Sequence, residues 1–101
     1  MDAENIRWEV GITNRARKGK STLPSEIMPI FMALFRDLAL LGPSLPRWPH
    51  FGKVSGQQNK DTYHCHLNRS RPTYVVIWKI VNKKEKLLEI SYVGTHENAP
   101  Y

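Results

Sequence analysis

The sequence predicts an α+β fold: a small antiparallel sheet made from one strand, a helical hairpin and a three-stranded meander, with the helices packed on one face. Apolar residues alternate with polar ones near the N-terminus, recur every three or four residues between positions 24 and 41, and alternate again in three later segments. We expect the 101 residues, 1–101, to form a single domain.

The first strand and the segment after it have different patterns. The apolar positions of "IRWEVGIT" alternate, as in a strand with one buried face: Ile6, Trp8, Val10 and Ile12. The next segment, "NRARKGK", carries four basic side chains between positions 15 and 20. It predicts a short exposed helix, although Gly19 disfavours one.

A longer amphipathic helix is predicted between Pro24 and Leu41. Its buried stripe comprises Ile27, Ile30, Phe31, Leu34, Leu38 and Leu41. Pro29 either kinks this helix or belongs to its first turn, and Gly42 followed by Pro43 ends it. Further apolar side chains lie off the stripe, where they are buried in the monomer or covered by a partner: Met28, Met32 and Leu40.

The carboxyl half begins with a long loop, 42–62, which is rich in proline and glycine and is therefore a candidate functional loop. Three strand-like segments follow, "TYHCHLNR", "TYVVIWKIV" and "LLEISYVG". Short turns separate them, so we expect antiparallel neighbours.

Charge and composition restrict the class of partner. Fifteen Lys and Arg against nine Asp and Glu give a net charge of +6, which favours a polyanion such as nucleic acid. A basic surface kept for solubility, or one that binds an acidic protein, is the alternative. No segment predicts a membrane span or a secretory signal, and a lone cysteine fits a reducing cytoplasm, so we expect a cytoplasmic protein without a membrane partner.

The stretch "YHCHLNRSRP" carries the strongest chemical signal. Strand alternation places His64 and His66 on one face and Cys65 on the other, which the helices should cover. Two histidines two residues apart, with a third from elsewhere, can chelate a metal, but no acidic or cysteine ligand joins them at a recognisable spacing. We therefore expect no metal and no cofactor.

A metal-free ribonuclease needs a base, an acid and cations that stabilise the charge on the phosphate. Histidine suits the first two roles and arginine the third. Arg69 and Arg71 follow within five residues of His66. The alternative is a set of surface histidines and turn arginines without chemistry.

The C-terminal segment "YVGTHENAPY" adds His96 and Tyr101. Unbroken strand parity would place His96 with Leu88, Ile90 and Tyr92 on the core face, and Gly94 is where a bulge or turn could redirect it. A redirected His96 is a candidate acid, and Tyr101 is a candidate ring for stacking on a base. Alternatively, the tail only caps the sheet.

These features together resemble the RelE/ParE toxin superfamily, and specifically its YafQ-like branch of cytotoxic translational repressors. The strand "WEVGIT", the helical hairpin and above all the ending "VGTHENAPY" carry the resemblance, which covers nearly the whole chain. It implies the toxin of a toxin–antitoxin system, a ribosome-dependent endoribonuclease that cuts mRNA in the 30S decoding site by 2′-OH attack. A cognate antitoxin would be its protein partner. The alternatives are a ParE-like gyrase inhibitor and a degenerate relative without activity.

The resemblance also implies roles for particular residues. His96 matches the histidine of the family's Gly-Thr-His ending, His66 a strand histidine and His50 a loop histidine, while Arg71 and Lys53 would hold phosphates. Two departures stand out. "NRSRPTY" replaces an Asp-Trp pair of the family, and the C-terminal tyrosine comes one residue later than the family aromatic.

Overall fold

The computed structural model describes residues 7–56, 58 and 60–101 and has the predicted α+β architecture, with two helices packed on one five-stranded sheet. The elements in chain order are β1 (Glu9–Ile12), α1 (Asn14–Ser21), α2 (Met28–Leu41), β2 (Gly52–Lys53), β3 (Thr62–His66), β4 (Tyr74–Asn82) and β5 (Leu87–Thr95). The order of strands across the sheet is β1-β5-β4-β3-β2.

The sheet is mixed, which refines the predicted antiparallel arrangement. The meander β3-β4-β5 is antiparallel as predicted, but β1 pairs with β5 in parallel. The helices and the rest of the chain separate β1 from β5, so no hairpin constrains their relative direction. β2 is a short strand inside the predicted loop and pairs with β3. Ile6, predicted in the first strand, lies outside the described residues.

Helix α1 lies against β5 at Gly19. The side chain of Thr13 caps the helix by accepting a hydrogen bond from the Ala16 N–H at 3.1 Å. A Cβ atom at Gly19 would lie 1.8 Å from the carbonyl oxygen of Val93. The glycine that argued against a helix is therefore what lets the helix approach the sheet this closely.

Helix α2 begins four residues later than the pattern suggested, with Pro29 in its first turn, and ends at Gly42, whose φ is 91°. Ile27, Phe31, Leu34 and Leu38 are buried as predicted. Leu41 was expected in the same stripe but is 68% exposed, because the helix ends at this residue and the chain turns away. Of the surplus apolar side chains, Met32 is 49% exposed, while Met28 and Leu40 are half-buried.

The sheet buries side chains on both faces. One face packs against the helices and contributes Cys65, Leu67, Val76, Trp78, Leu88, Ile90 and Val93 to the main core. A second, smaller cluster lies on the opposite face and comprises Val54, Val75, Ile77 and Tyr92, with Ala99 packed against it. None of the described helices is long and apolar enough to cross a membrane.

Candidate active site

Strand β3 directs His64 and His66 away from the helices, as the alternation predicted. Their cross-strand partners are Ile77 and Val75, which belong to the second cluster, whereas Cys65 is fully buried in the main core. We call the surface that carries these two side chains the histidine face. Burial also raises the pKa of the Cys65 thiol to about 12, so this cysteine has no thiolate character at neutral pH.

His50 reaches the histidine face from the loop before β2. The backbone N–H of His66 donates to the carbonyl of Pro49 at 2.8 Å, which fixes the loop beside the strand. The imidazole rings of His50 and His66 are then stacked, with centroids 4.2 Å apart and planes 24° from parallel. The adjacent Trp48 also anchors the loop, because its indole donates to Asp37 at 2.9 Å.

His96 arrives from the end of β5. A β-bulge shifts the pairing, so Ile77 lies opposite Tyr92 but Trp78 lies opposite Ile90. The intervening Ser91 reverses the parity of the strand, and Tyr92 turns to the histidine face instead of the helix face on which we expected it. The redirection therefore occurs at Ser91, three residues before the expected position.

After the bulge, the backbone N–H of His96 donates to the Thr73 carbonyl at 2.8 Å. The His96 ring meets the His66 ring edge-on, at a centroid distance of 5.2 Å. Gly94 has a different role from the one expected. A Cβ there would lie 2.6 Å from the Tyr92 hydroxyl, so glycine leaves room for the tyrosine to lie along the strand and donate to the Thr95 carbonyl at 2.8 Å.

The C-terminal tail crosses the histidine face. Ala99 packs on the second cluster, and the Tyr101 ring stacks on His64 with a centroid distance of 5.0 Å. Tyr101 also approaches His96 edge-on at 6.1 Å and remains 48% exposed. The tail thus adds an aromatic ring to the histidine cluster, with one surface still open to solvent.

Arg71 joins the cluster, and two other predicted cations do not. Arg71 lines a cleft of about 610 Å³ together with His66, Pro72, Thr73, Thr95, His96 and Glu97, which we call the histidine cleft. Arg69 is exposed in the same turn but does not line it. Lys53 pairs with Tyr63, whose side chain packs on the main core, so the register directs Lys53 to the opposite side of β2 from the histidines.

The environment of the cluster lowers two histidine pKa values. The pKa of His66 lies below its usual value because of burial first, and then because of repulsion from protonated His50, His96 and His64. Burial, His50 and His96 likewise lower the pKa of His64, whose Nδ1 is buried and has no hydrogen-bond partner among the described residues. Both imidazoles are therefore neutral at pH 7 and able to accept a proton.

The phenol of Tyr101 is shifted in the opposite direction. Its pKa is raised by burial, and further by Tyr92 and Cys65, so the hydroxyl keeps its proton at neutral pH. It is a hydrogen-bond donor in this site. Among residues 7–56, 58 and 60–101, no group of three or more His, Cys, Asp or Glu side chains is arranged to hold a metal ion.

Two neighbours of the site were not predicted as functional. Glu97 lines the histidine cleft together with Arg71. Arg15 of α1 lies over the Tyr92 ring, 5.2 Å from its centroid, so the basic helix borders the histidine face. The basic run was visible in the sequence, but its proximity depends on the bulge that turns Tyr92 to this side.

Comparison of the structure with solved structures identifies the fold. A RelE–RelB complex from Pyrococcus horikoshii matches with a TM-score of 0.67 at 24% identity, over 91% of this chain and 98% of that one. The isolated RelE toxin of E. coli matches with a TM-score of 0.65 at 16% identity, over 93% and 89%. A YafQ variant of E. coli gives 0.66 at 17% identity, over 90% and 96%.

The chain therefore has the fold of the RelE-like toxin superfamily, the superfamily that the sequence resembles. No protein-family model matches the sequence, and no curated protein is significantly similar to it. The fold alone does not define the function, which depends on the residues of the site.

Proposed function

We propose that the protein is the toxin of a toxin–antitoxin system and that it represses translation by cutting mRNA on the ribosome. The observation that carries the proposal is the cluster of four histidines beside Arg71, at a cleft on a RelE-like fold. These side chains supply an acid, a base and a fixed cation, which are the groups that RNA cleavage by 2′-OH attack requires.

His66 is the proposed general base. It lies at the centre of the cluster, and its lowered pKa keeps it neutral at pH 7. The imidazole takes the proton of a ribose 2′-OH, and the resulting oxygen attacks the adjacent phosphorus. The P–O5′ bond breaks, which leaves a 2′,3′-cyclic phosphate on one fragment and a 5′-OH on the other.

His96 is the proposed general acid, because it lines the same cleft as the base, with ring centroids 5.2 Å apart, and is exposed to solvent. It gives its proton to the leaving 5′ oxygen. The guanidinium of Arg71 stabilises the charge on the phosphate oxygens. Burial is the main cause of the lowered pKa of His66, and His50 and His64 contribute to it; Tyr101 offers a ring for base stacking.

The distribution of charge supports a ribosomal setting. The net charge of +6 favours a polyanionic surface, and the basic side chains of α1 border the histidine face through Arg15. RelE–RelB and RelBE complexes are among the similar structures. By analogy we propose a cognate antitoxin that masks the same face, and a cytoplasmic site of action.

The experiment is a cell-free translation reaction to which the purified chain is added, with mRNA 5′ ends mapped by primer extension. We expect new ends that require ribosomes. His66→Gln and His96→Gln, which keep the size and polarity of the side chain, should each slow cleavage by about 10²–10⁴-fold, the usual contribution of a positioned acid or base.

Arg69→Gln is the matched control for Arg71→Gln, because both arginines belong to one turn and only Arg71 lines the histidine cleft. We expect a large loss of cleavage for Arg71→Gln and a small one for Arg69→Gln. Intact mRNA with unaffected translation would refute the proposal. In that case inhibition of DNA supercoiling, tested in parallel, would favour the gyrase alternative.

A further inference from the structure

A second cleft opens on the histidine face and shares Tyr101 with the histidine cluster. It has a volume of about 320 Å³, and we call it the lysine cleft. The polar and aromatic side chains that form it are Thr13, Gln58, Thr62, Lys79, Glu89, Ser91 and Tyr101. Because the Tyr101 ring also contacts His64 and His96, it joins the lysine cleft to the candidate active site.

The register of the sheet places the lysine cleft along the same strands as the histidines. Thr62, Lys79 and Glu89 form one row across β3, β4 and β5. All three project from the histidine face, since their strand neighbours Trp78 and Leu88 are buried against the helices. The row lies four residues from His66 along β3, a distance of about 13 Å at 3.3 Å per residue.

The charged groups of the lysine cleft have no partner among the residues that the structure describes. Lys79 and Glu89 face each other across β4 and β5, yet neither makes an ion pair or a side-chain hydrogen bond with any residue that the structure describes. The hydroxyls of Thr62 and Ser91 donate to backbone carbonyls, at 3.2 and 3.4 Å, and keep their acceptor capacity. Thr62 is buried, but Lys79, Glu89 and Ser91 are thus available to a ligand beside an aromatic ring.

The carboxylate of Glu89 would repel the phosphates of a nucleic acid. Its presence in the cleft is therefore better explained by a contact with a base. A carboxylate accepts hydrogen bonds from the N–H groups on the edge of a base, and a guanine presents two such groups side by side. Lysine is suited to a phosphate oxygen, and tyrosine to the face of a base. The lysine cleft therefore combines the groups that recognise one nucleotide.

We propose that the lysine cleft binds a nucleotide beyond the two that flank the cut bond, which makes it a second subsite for single-stranded RNA; this rests on the proposed function. Lys79 holds the phosphate, Tyr101 stacks on the base and Glu89 accepts hydrogen bonds from its edge. The subsite prefers guanine and contributes to the sequence preference of cleavage.

The test measures binding of the full chain to 2′-O-methyl oligonucleotides, which cannot be cleaved by 2′-OH attack. Titration calorimetry compares a dinucleotide, which fills only the histidine cleft, with a hexanucleotide that reaches both clefts. We expect Lys79→Gln to weaken hexanucleotide binding about tenfold, the scale of one charge-assisted hydrogen bond, and to leave dinucleotide binding unchanged. Glu89→Gln should remove the preference for guanine over uracil in the hexanucleotide.

Lys84→Gln is the matched control, because it removes the same charge from the exposed turn between β4 and β5. The subsite is refuted if Lys79→Gln behaves like this control, if it weakens both oligonucleotides equally, or if the wild-type chain binds neither. Cleavage is scored separately. Length-dependent binding without cut mRNA would overturn the ribonuclease and leave the lysine cleft only as an RNA-binding site, whereas cut mRNA with no effect of Lys79→Gln would overturn only the subsite.

Discussion

At the scale of single residues, the chemistry depends on how four imidazoles affect one another. His66 is packed against His50 and His96, and its pKa is lowered by burial and by both neighbours. A neutral imidazole that stays neutral below pH 7 is a competent base over a wider pH range. The histidines thus act as a group, and the role of each depends on the others.

The pKa of His66 can be changed through its neighbour. His50→Gln removes a source of repulsion, so we expect the pKa of His66 to rise toward its ordinary value while burial still holds it below. NMR titration of the imidazole protons measures this directly and does not depend on any activity. Arg69→Gln serves as a control in the same titration. A His66 pKa that stays constant or falls in His50→Gln would show that the two rings do not interact as the structure indicates.

Some side-chain positions in the site could be predicted from the sequence, and others could not. The positions of His64, His66 and Cys65 followed from alternation alone, because a regular strand has only two faces. His96 did not, because the bulge at Ser91 is a property of the β4–β5 pairing and has no local signature. The orientation of Lys53 likewise required the register of β2, a two-residue strand that no periodicity could reveal.

At the scale of elements, the sequence predicted α2 and the meander because their patterns extend over many residues. The pairing of β1 with β5 was not predictable, since it joins segments from opposite ends of the chain. The close approach of α1 to β5 was not predictable for the same reason, since these elements are also far apart in the chain. Gly19 reads locally as a weak point in a helix, and only the position of Val93 shows why glycine is needed there.

Substitution of Gly19 tests that approach. Gly19→Ala improves helix propensity, yet the added methyl group would meet the backbone of Val93, so we expect the free energy of unfolding to fall by about 1–3 kcal/mol, the usual cost of overpacking. Gly11→Ala is the matched control, because a Cβ there has 3.8 Å to the nearest atom. Urea denaturation compares the two variants. A Gly19→Ala protein as stable as the control would mean that α1 moves away from β5 at little cost.

At the scale of the whole molecule, the histidine cluster links stability to pH. The folded-state pKa values of His64 and His66 lie below the unfolded value of 6.5. At pH values between the folded-state pKa and 6.5, the unfolded chain therefore binds more protons than the folded protein. We expect the free energy of unfolding to be highest above pH 6.5 and to decrease as the pH falls through that value. Chemical denaturation across this range should show a flatter profile for the His64→Gln/His66→Gln double variant. An equally steep profile would assign the effect to other groups.

The distribution of basic side chains predicts the path that RNA takes over the surface. Arg15 lies on Tyr92, so the basic side chains of α1 continue the histidine face and should contact phosphates beyond the cut site. Each phosphate contact with a single strand lowers the slope of log K against log salt by about 0.7. The double variant Arg17→Gln/Lys18→Gln should therefore bind RNA with a slope shallower by up to about 1.4, that is 2 × 0.7, whereas Lys83→Gln/Lys84→Gln removes the same charge from the β4–β5 turn and should leave the slope unchanged. Equal slopes in the two variants would mean that α1 faces away from the RNA, and that the net charge acts only by attracting the polyanion from a distance.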